Sequence, residues 1–203
     1  MAKKSKNTNE LLGIQISPGW RKILLAIGLI FFALFFAHKI LFINADLGRH
    51  IKNGEIIFSD FTPFHALVST NYYSYTEPGY SLVNHHWGSG LIYFAIWKLF
   101  GFTGLSLFQV LLNVVTVFIF FKIAEKKSDF IYAFFFFIIS IPLIAGRTEI
   151  RPEAFSYFLA GVFYFFLIQY SEGKISFQKI LIILLPLQLL WVNLHIFFVF
   201  GIF

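Results

Sequence analysis

The chain has 203 residues, of which 58% are hydrophobic and 30 are Phe, and its mean hydropathy of +0.77 excludes an ordinary soluble domain. It has no Cys, which excludes a disulfide framework and a thiolate metal site. The formal charge is +6, but the basic residues sit beside apolar spans instead of clustering on one polar surface, so they read as membrane-flanking anchors and nucleic acid is not an expected partner.

Residues 1–22 form a polar, basic tail, with Lys3, Lys4, Lys6, Arg21 and Lys22 against Glu10. Ile23 to Ala37 is uninterruptedly apolar and the span continues past His38 and Lys39 to Ile43. A secretory signal has a shorter core and a small-residue cleavage site; Phe35 stands where a small residue belongs, so 23–43 is expected as an uncleaved first transmembrane helix. His38 and Lys39 fall in its last turns, where they can snorkel outward.

Residues 44–104 are expected as a long outer loop. Asp46 to Trp87 holds four of the six His and four of the ten acidic residues. A loop this long without periodicity is functional or disordered, and its tyrosines and tryptophan argue against disorder. Asn44 or Asp46 can cap a short helix that Gly54 would end. Pro63, Ser69-Thr70-Asn71 and Glu77-Pro78-Gly79 mark turns. Leu91 to Phe100 is too short to span and, flanked by Trp87, Trp97 and Lys98, suits an interfacial helix.

After a break over Gly101 to Gly104, residues 105–203 are expected to hold about four further spans: Leu105 to Phe121, Phe130 to Ala145, Ala154 to Tyr170 with Pro152 at its first turn, and a helix from Ile180 to His195 that bends near Pro186. The apolar run at Phe197 to Phe203 has no polar exit, so the chain is expected to continue. The fold class is therefore all-α: a polytopic transmembrane helical bundle with a long outer first loop containing short interfacial helices. Alternating sides give ten Lys and Arg with the N-terminus and six opposite, which places the N-terminus in the cytoplasm of a multi-pass cell-membrane protein. The long loop, the Arg147 to Glu153 turn and His195 then share the outer side.

On that side, Asp46 and His50, four apart on one helical face, together with His85 and His86, are ligand types for a divalent cation. Asp46 is equally a candidate general base for an acceptor hydroxyl, and the plainer reading is a helix cap with the histidines in the headgroup layer. Arg147 and Arg151 have the chemistry to grip a lipid phosphate; as topology anchors they would instead pair with Glu149 and Glu153. Asn193 and His195 lie in an apolar helix, where polar groups face a cavity or a protein interior, although a helix end emerging into headgroups explains them equally. Tyr72, Tyr73, Tyr75, Tyr80 and Trp87 suit stacking on sugar rings, and are also what any interfacial loop contains.

Several short motifs follow one another: Asp46-Leu47-Gly48-Arg49-His50-Ile51-Lys52-Asn53-Gly54, Tyr73 to Thr76, Val83-Asn84-His85-His86-Trp87, Arg151 to Tyr157, and Leu190-Trp191-Val192-Asn193-Leu194-His195. Their order resembles a branch of the polytopic bacterial glycosyltransferases of the GT-C superfamily, which includes protein O-mannosyltransferase-like and RgtA/B/C/D-like enzymes. The resemblance implies sugar transfer on the outer membrane face from a polyprenyl-phosphate-linked donor to a glycan, lipid or protein acceptor. Asp46 would be the catalytic or metal-associated carboxylate. Arg147 and Arg151 would hold the lipid phosphate, Asn193, His195 and Trp87 would line the substrate cavity, and His50, His85 and His86 would bind metal or acceptor. This chain departs from the pattern at Gly48 and Arg49, where relatives carry aromatics, at His86, where many carry Glu, and at Ile196-Phe197, where Gly-Gly is usual. The alternative from another class is a transporter or non-catalytic assembly protein for surface polysaccharide, for which paired internal repeats would be expected.

Overall fold

The computed structural model describes residues 16–37, 46–59, 64–147 and 149–202. Those residues form an all-helical arrangement: α1 (Pro18–Phe36), α2 (Leu47–Ser59), α3 (Phe64–Ser69), α4 (Trp87–Lys127), α5 (Phe130–Ala145), α6 (Glu153–Ser171), α7 (Phe177–Leu194) and the 3-10 helix η1 (Ile196–Gly201). The described residues contain no strand, only an isolated antiparallel bridge between Thr70 and Ser81. Four helices, α1, α4, α6 and α7, are long and apolar enough to cross a bilayer. The apolar α5 has 16 residues, shorter than the roughly 20 of a perpendicular span. Leu34, Ile182, Leu189 and Leu143 are about 70–80% exposed, a pattern costly in water and ordinary against lipid.

α1 begins at Pro18, five residues before the expected start of the first span. Ser17 caps it, its Oγ accepting from the Trp20 amide, and Pro18 occupies the first turn, where its missing N–H costs nothing. Arg21 and Lys22, expected in the tail, are thus helical. The tail's residues 1–15, together with His38, Lys39, Asn44, Asp60 and Pro63, lie outside the described residues.

α2 runs through Gly54, which was expected to end it. Leu47, His50, Asn53, Gly54 and Ile57 share its buried face, a spacing of three and four. Gly54 is there for contact: a Cβ on it would stand 2.2 Å from the Gly90 carbonyl oxygen and 2.5 Å from Phe94 Cβ. The two helices therefore touch backbone to backbone.

The expected interfacial helix and second span are one helical stretch, α4, broken at Gly101. With φ 62° and ψ −160°, Gly101 adopts a conformation open essentially to glycine. The first limb, residues 87–100, begins earlier than expected, at Trp87, and packs its Ser89–Gly90 and Tyr93–Phe94 face against α2 and the core. The second limb, residues 102–127, is the hub against which α1, α5 and α6 pack. Two aromatic cores result: Phe32, Phe36, Phe121, Phe130 and Phe137 join α1, α4 and α5, while Leu47, Tyr93, Phe155, Phe163 and Trp191 join α2, α4, α6 and α7. Pro186 is accommodated inside α7, which Ser176 caps.

The two ends of the bundle carry different sets of charged groups. At one end Lys126, Lys127 and Lys174 converge on Glu172, whose carboxyl these ammonium groups hold down at about 2 by hydrogen bonding. At the other end gather the arginines and histidines described next.

Candidate functional site: an imidazole cluster at one end of the bundle

The first, third and fifth motif segments converge here. His50 comes from the second turn of α2, His86 immediately precedes α4, and His195 caps the C-terminus of α7. Ring centroids are 5.6 Å apart for His50 and His86, 5.2 Å for His86 and His195, and 4.2 Å for His85 and His86. The Gly54–Gly90 contact sets the first of these spacings, because a Cβ on Gly90 would lie 2.8 Å from the His50 carbonyl oxygen. Trp87 Nε1 donates to Asn193 Oδ1 at 3.0 Å, and Gly88 lies under the Asn193 carbonyl, fastening the start of α4 to the end of α7.

His195 is the most constrained member. Trp191 Nε1 donates to Ser156 Oγ at 2.7 Å, and Ser156 Oγ lies 2.9 Å from His195 Nδ1. The Phe197 amide also points at Nδ1, at 3.5 Å. Ser156 and Trp191 were not singled out from the sequence. Both belong to the motifs quoted for other residues, and Trp191 precedes His195 by one helical turn, the signal that would have found it.

Burial disfavours the charged form of His50, His86 and His195. His50, only 2% exposed, is pushed down to about 4, first by desolvation and then by the Arg49 guanidinium. His86 is pushed down to about 3 by burial, with His85 next in effect. Burial also lowers His195, opposed by the carboxylate of Glu153. His50 Nδ1 is buried without a hydrogen-bond partner among the described residues, as are Asn53 Nδ2 and Tyr93 Oη on the adjoining surfaces of α2 and α4.

A charged rim surrounds the imidazoles, and its members pair with one another. Asp46 is well exposed and its carboxylate stands 3.4 Å from Arg49. Arg147 Nη1 donates to both carboxylate oxygens of Glu153, at 3.0 and 3.2 Å, and Arg151 Nε lies 2.6 Å from Glu149 Oε2. The two arginines thus have the glutamate partners of their anchor reading. Glu153, counted in the sequence only as such a partner, also brings a carboxylate within electrostatic reach of His195. Of the residues expected to hold a divalent cation, Asp46 turns out toward Arg49 while His50 turns into the core. No group of three or more His, Cys, Asp or Glu among the described residues is placed to share an ion.

A cavity of about 720 Å³ lies between α4, α5 and α6. Its wall is largely apolar, with Phe120, Phe136 and Tyr157 prominent, and it extends from Ser128 to Arg147. At its Arg147 end the lining reaches the Arg147–Glu153 ion pair, whose carboxylate is within electrostatic reach of His195. Tyr73, from the polar loop, donates its hydroxyl to Asn53 Oδ1, and the loop is braced by Asn71 N–H to the Tyr80 carbonyl (2.9 Å) and Asn84 N–H to that of Val68 (2.8 Å). Tyr75 and Tyr80 point outward, at 96% and 66% exposure. Comparison with protein-family models, with curated proteins and with solved structures finds no match to this chain.

Proposed function

We propose that the protein is a GT-C-like membrane glycosyltransferase that moves a sugar from a polyprenyl-phosphate-linked donor to a hydroxyl acceptor on the outer face of the cell membrane. The observation that carries this reading is the apolar cavity ending at Arg147, next to a polar end built from the motif segments. A hydrocarbon chain suits the cavity wall, and its phosphate would then reach the level of the arginines and imidazoles. In this reaction the acceptor oxygen forms a bond to the anomeric carbon and passes its proton to the Asp46 carboxylate. The bond from that carbon to the phosphate oxygen breaks, and the polyprenyl phosphate leaves with the electron pair. Asp46 is exposed and its partner Arg49 is a surface residue, so the carboxylate is open to an acceptor from the aqueous side.

The test is transfer of radiolabelled sugar from polyprenyl-phosphate donor by the purified full chain in nanodiscs. Asp46→Asn is expected to abolish transfer while leaving membrane insertion and melting temperature unchanged, because an exposed ion pair contributes no more than about 1 kcal/mol. Undiminished transfer by that variant would remove Asp46 from the reaction.

A further inference from the structure

The hydrogen bonds around His195 assign its proton. The indole N–H of Trp191 can only donate, so Ser156 Oγ accepts from it and has its own proton left to give. The neighbour of that hydroxyl is His195 Nδ1, at 2.9 Å. The Phe197 backbone N–H, also only a donor, is aimed at the same nitrogen. Two donors directed at Nδ1 leave no place for a proton on it. Nε2 must then carry the single proton of the neutral ring, and Nε2 makes no hydrogen bond to any described residue. The ring is held in place by Phe197, packed edge-on at 4.5 Å, and faces His86.

We propose that Trp191 and Ser156 lock His195 as the Nε2–H tautomer, so that it meets substrate as a hydrogen-bond donor to a proton-free oxygen, and not as a base or a metal ligand. The ligand class is chosen by this polarity: a fixed N–H needs an acceptor oxygen, and an anionic phosphoryl oxygen is the strongest acceptor a lipid-linked donor offers. A base at this position would need the opposite tautomer, and a metal would need the lone pair that Ser156 and Phe197 occupy. In naming the phosphoryl group of the lipid-linked donor as the partner, the proposal rests on the glycosyltransferase reading above; the tautomer itself does not. Ser156 and Trp191 are positioning residues, acting through His195.

The experiment is nitrogen-15 NMR of the full chain, labelled at histidine, in nanodiscs at neutral pH, with the His195 signals identified by their loss in His195→Gln. The expected spectrum has a pyridine-type Nδ1 and a protonated Nε2, with Ser156→Ala and Trp191→Phe spreading the ring over both tautomers. A protonated Nδ1 in the wild-type chain, or an unmoved tautomer in both variants, would overturn the lock. Adding polyprenyl phosphate to the nanodiscs is expected to move the Nε2 proton downfield; no response would overturn the phosphoryl assignment. In the transfer assay, His195→Ala should lose about a hundredfold, as removal of an oxyanion donor does, while His195→Gln, whose amide N–H stands near the Nε2 position, should stay within about tenfold of wild type. Equal loss in both would overturn the donor role. Absence of any transfer by the wild-type chain would sink the glycosyltransferase reading and leave the tautomer to be decided by the spectra.

Discussion

Gly54→Ala tests the joint on which the cluster depends. The new methyl would stand 2.2 Å from the Gly90 carbonyl oxygen and 2.5 Å from Phe94 Cβ, where ordinary contact begins near 3.4 Å. Both obstacles sit on or beside helix backbone, so no flexible side chain can yield, and α2 must retreat by more than 1 Å. Overpacking of this kind costs about 1–3 kcal/mol, and the better helix propensity of Ala returns about 1 kcal/mol. The net expectation is a loss of up to about 2 kcal/mol, or several degrees of melting temperature at about 2–4 °C per kcal/mol for a chain this size. Gly48→Ala, one residue into the same helix, is the control: nothing lies within 4 Å of its Cβ, so only the propensity gain of up to about 1 kcal/mol remains. Thermal unfolding of both variants in detergent, followed by circular dichroism, should therefore move in opposite directions. A shift of the same sign in both would refute close approach of α2 and α4 as the origin of the effect.

Acidification should destabilise the protein through its imidazoles. His50 and His86 are held at about 4 and about 3 in the fold against an ordinary 6.5, so as pH falls the unfolded chain binds protons first. Their contribution is intact above about 6.5 and is lost as pH drops toward 4; melting temperature should be level above pH 7 and fall across that window, less steeply in His86→Gln, and an unchanged slope in that variant would contradict the assignment. The Trp87–Asn193 bond should give a coupling of about 0.5–1.5 kcal/mol in a double-mutant cycle of Trp87→Phe with Asn193→Leu, and zero coupling would mean that it does not tie α4 to α7. Tyr73→Phe leaves the fully buried Asn53 without its hydrogen-bond donor, at a cost of about 1–3 kcal/mol, and should speed amide exchange over residues 70–84 relative to α6. Exchange unchanged there would show that the hydroxyl does not brace the loop.

Helix content was legible in the sequence because apolar run length and Lys/Arg flanks are local quantities, and the four helices able to cross a bilayer fall close to expected runs. The errors came where a residue has two uses. Gly54 has the composition of a helix end and the surroundings of a helix crossing, and only the position of Gly90 decides between them. Ser17-Pro18 is a start signal hidden by the basic residues that follow it. The break before the second span was found, yet at Gly101 the chain turns with a single left-handed residue and the helix resumes at once, so the expected loop shrank. At the site, the arginines are met by Glu149 and Glu153, as their anchor reading expected, and the aspartate by Arg49, which was not expected, because each lies within six residues of its partner in the chain.

The motifs make physical sense as pairs of parts, one side chain for the cluster and one for the joint that places it. His50 and Gly54 lie one turn apart on the same face of α2, so the glycine that lets backbones touch also fixes how near the His50 ring comes to α4. His86 adjoins Trp87, which reaches Asn193; Asn193 stands two residues before His195, whose ring is set by Trp191 and Ser156. Because the rim charges pair with one another, what this end of the bundle would offer a ligand under the proposed function is the imidazoles of His50, His86 and His195, whose charged forms burial disfavours. Under the proposed function such a surface would take a molecule with a long hydrocarbon part and an oxygen-rich head, and its selectivity would come from donor placement. Repositioning the joint should thus alter ligand recognition as much as replacing a histidine does, even though no joint residue need touch the ligand.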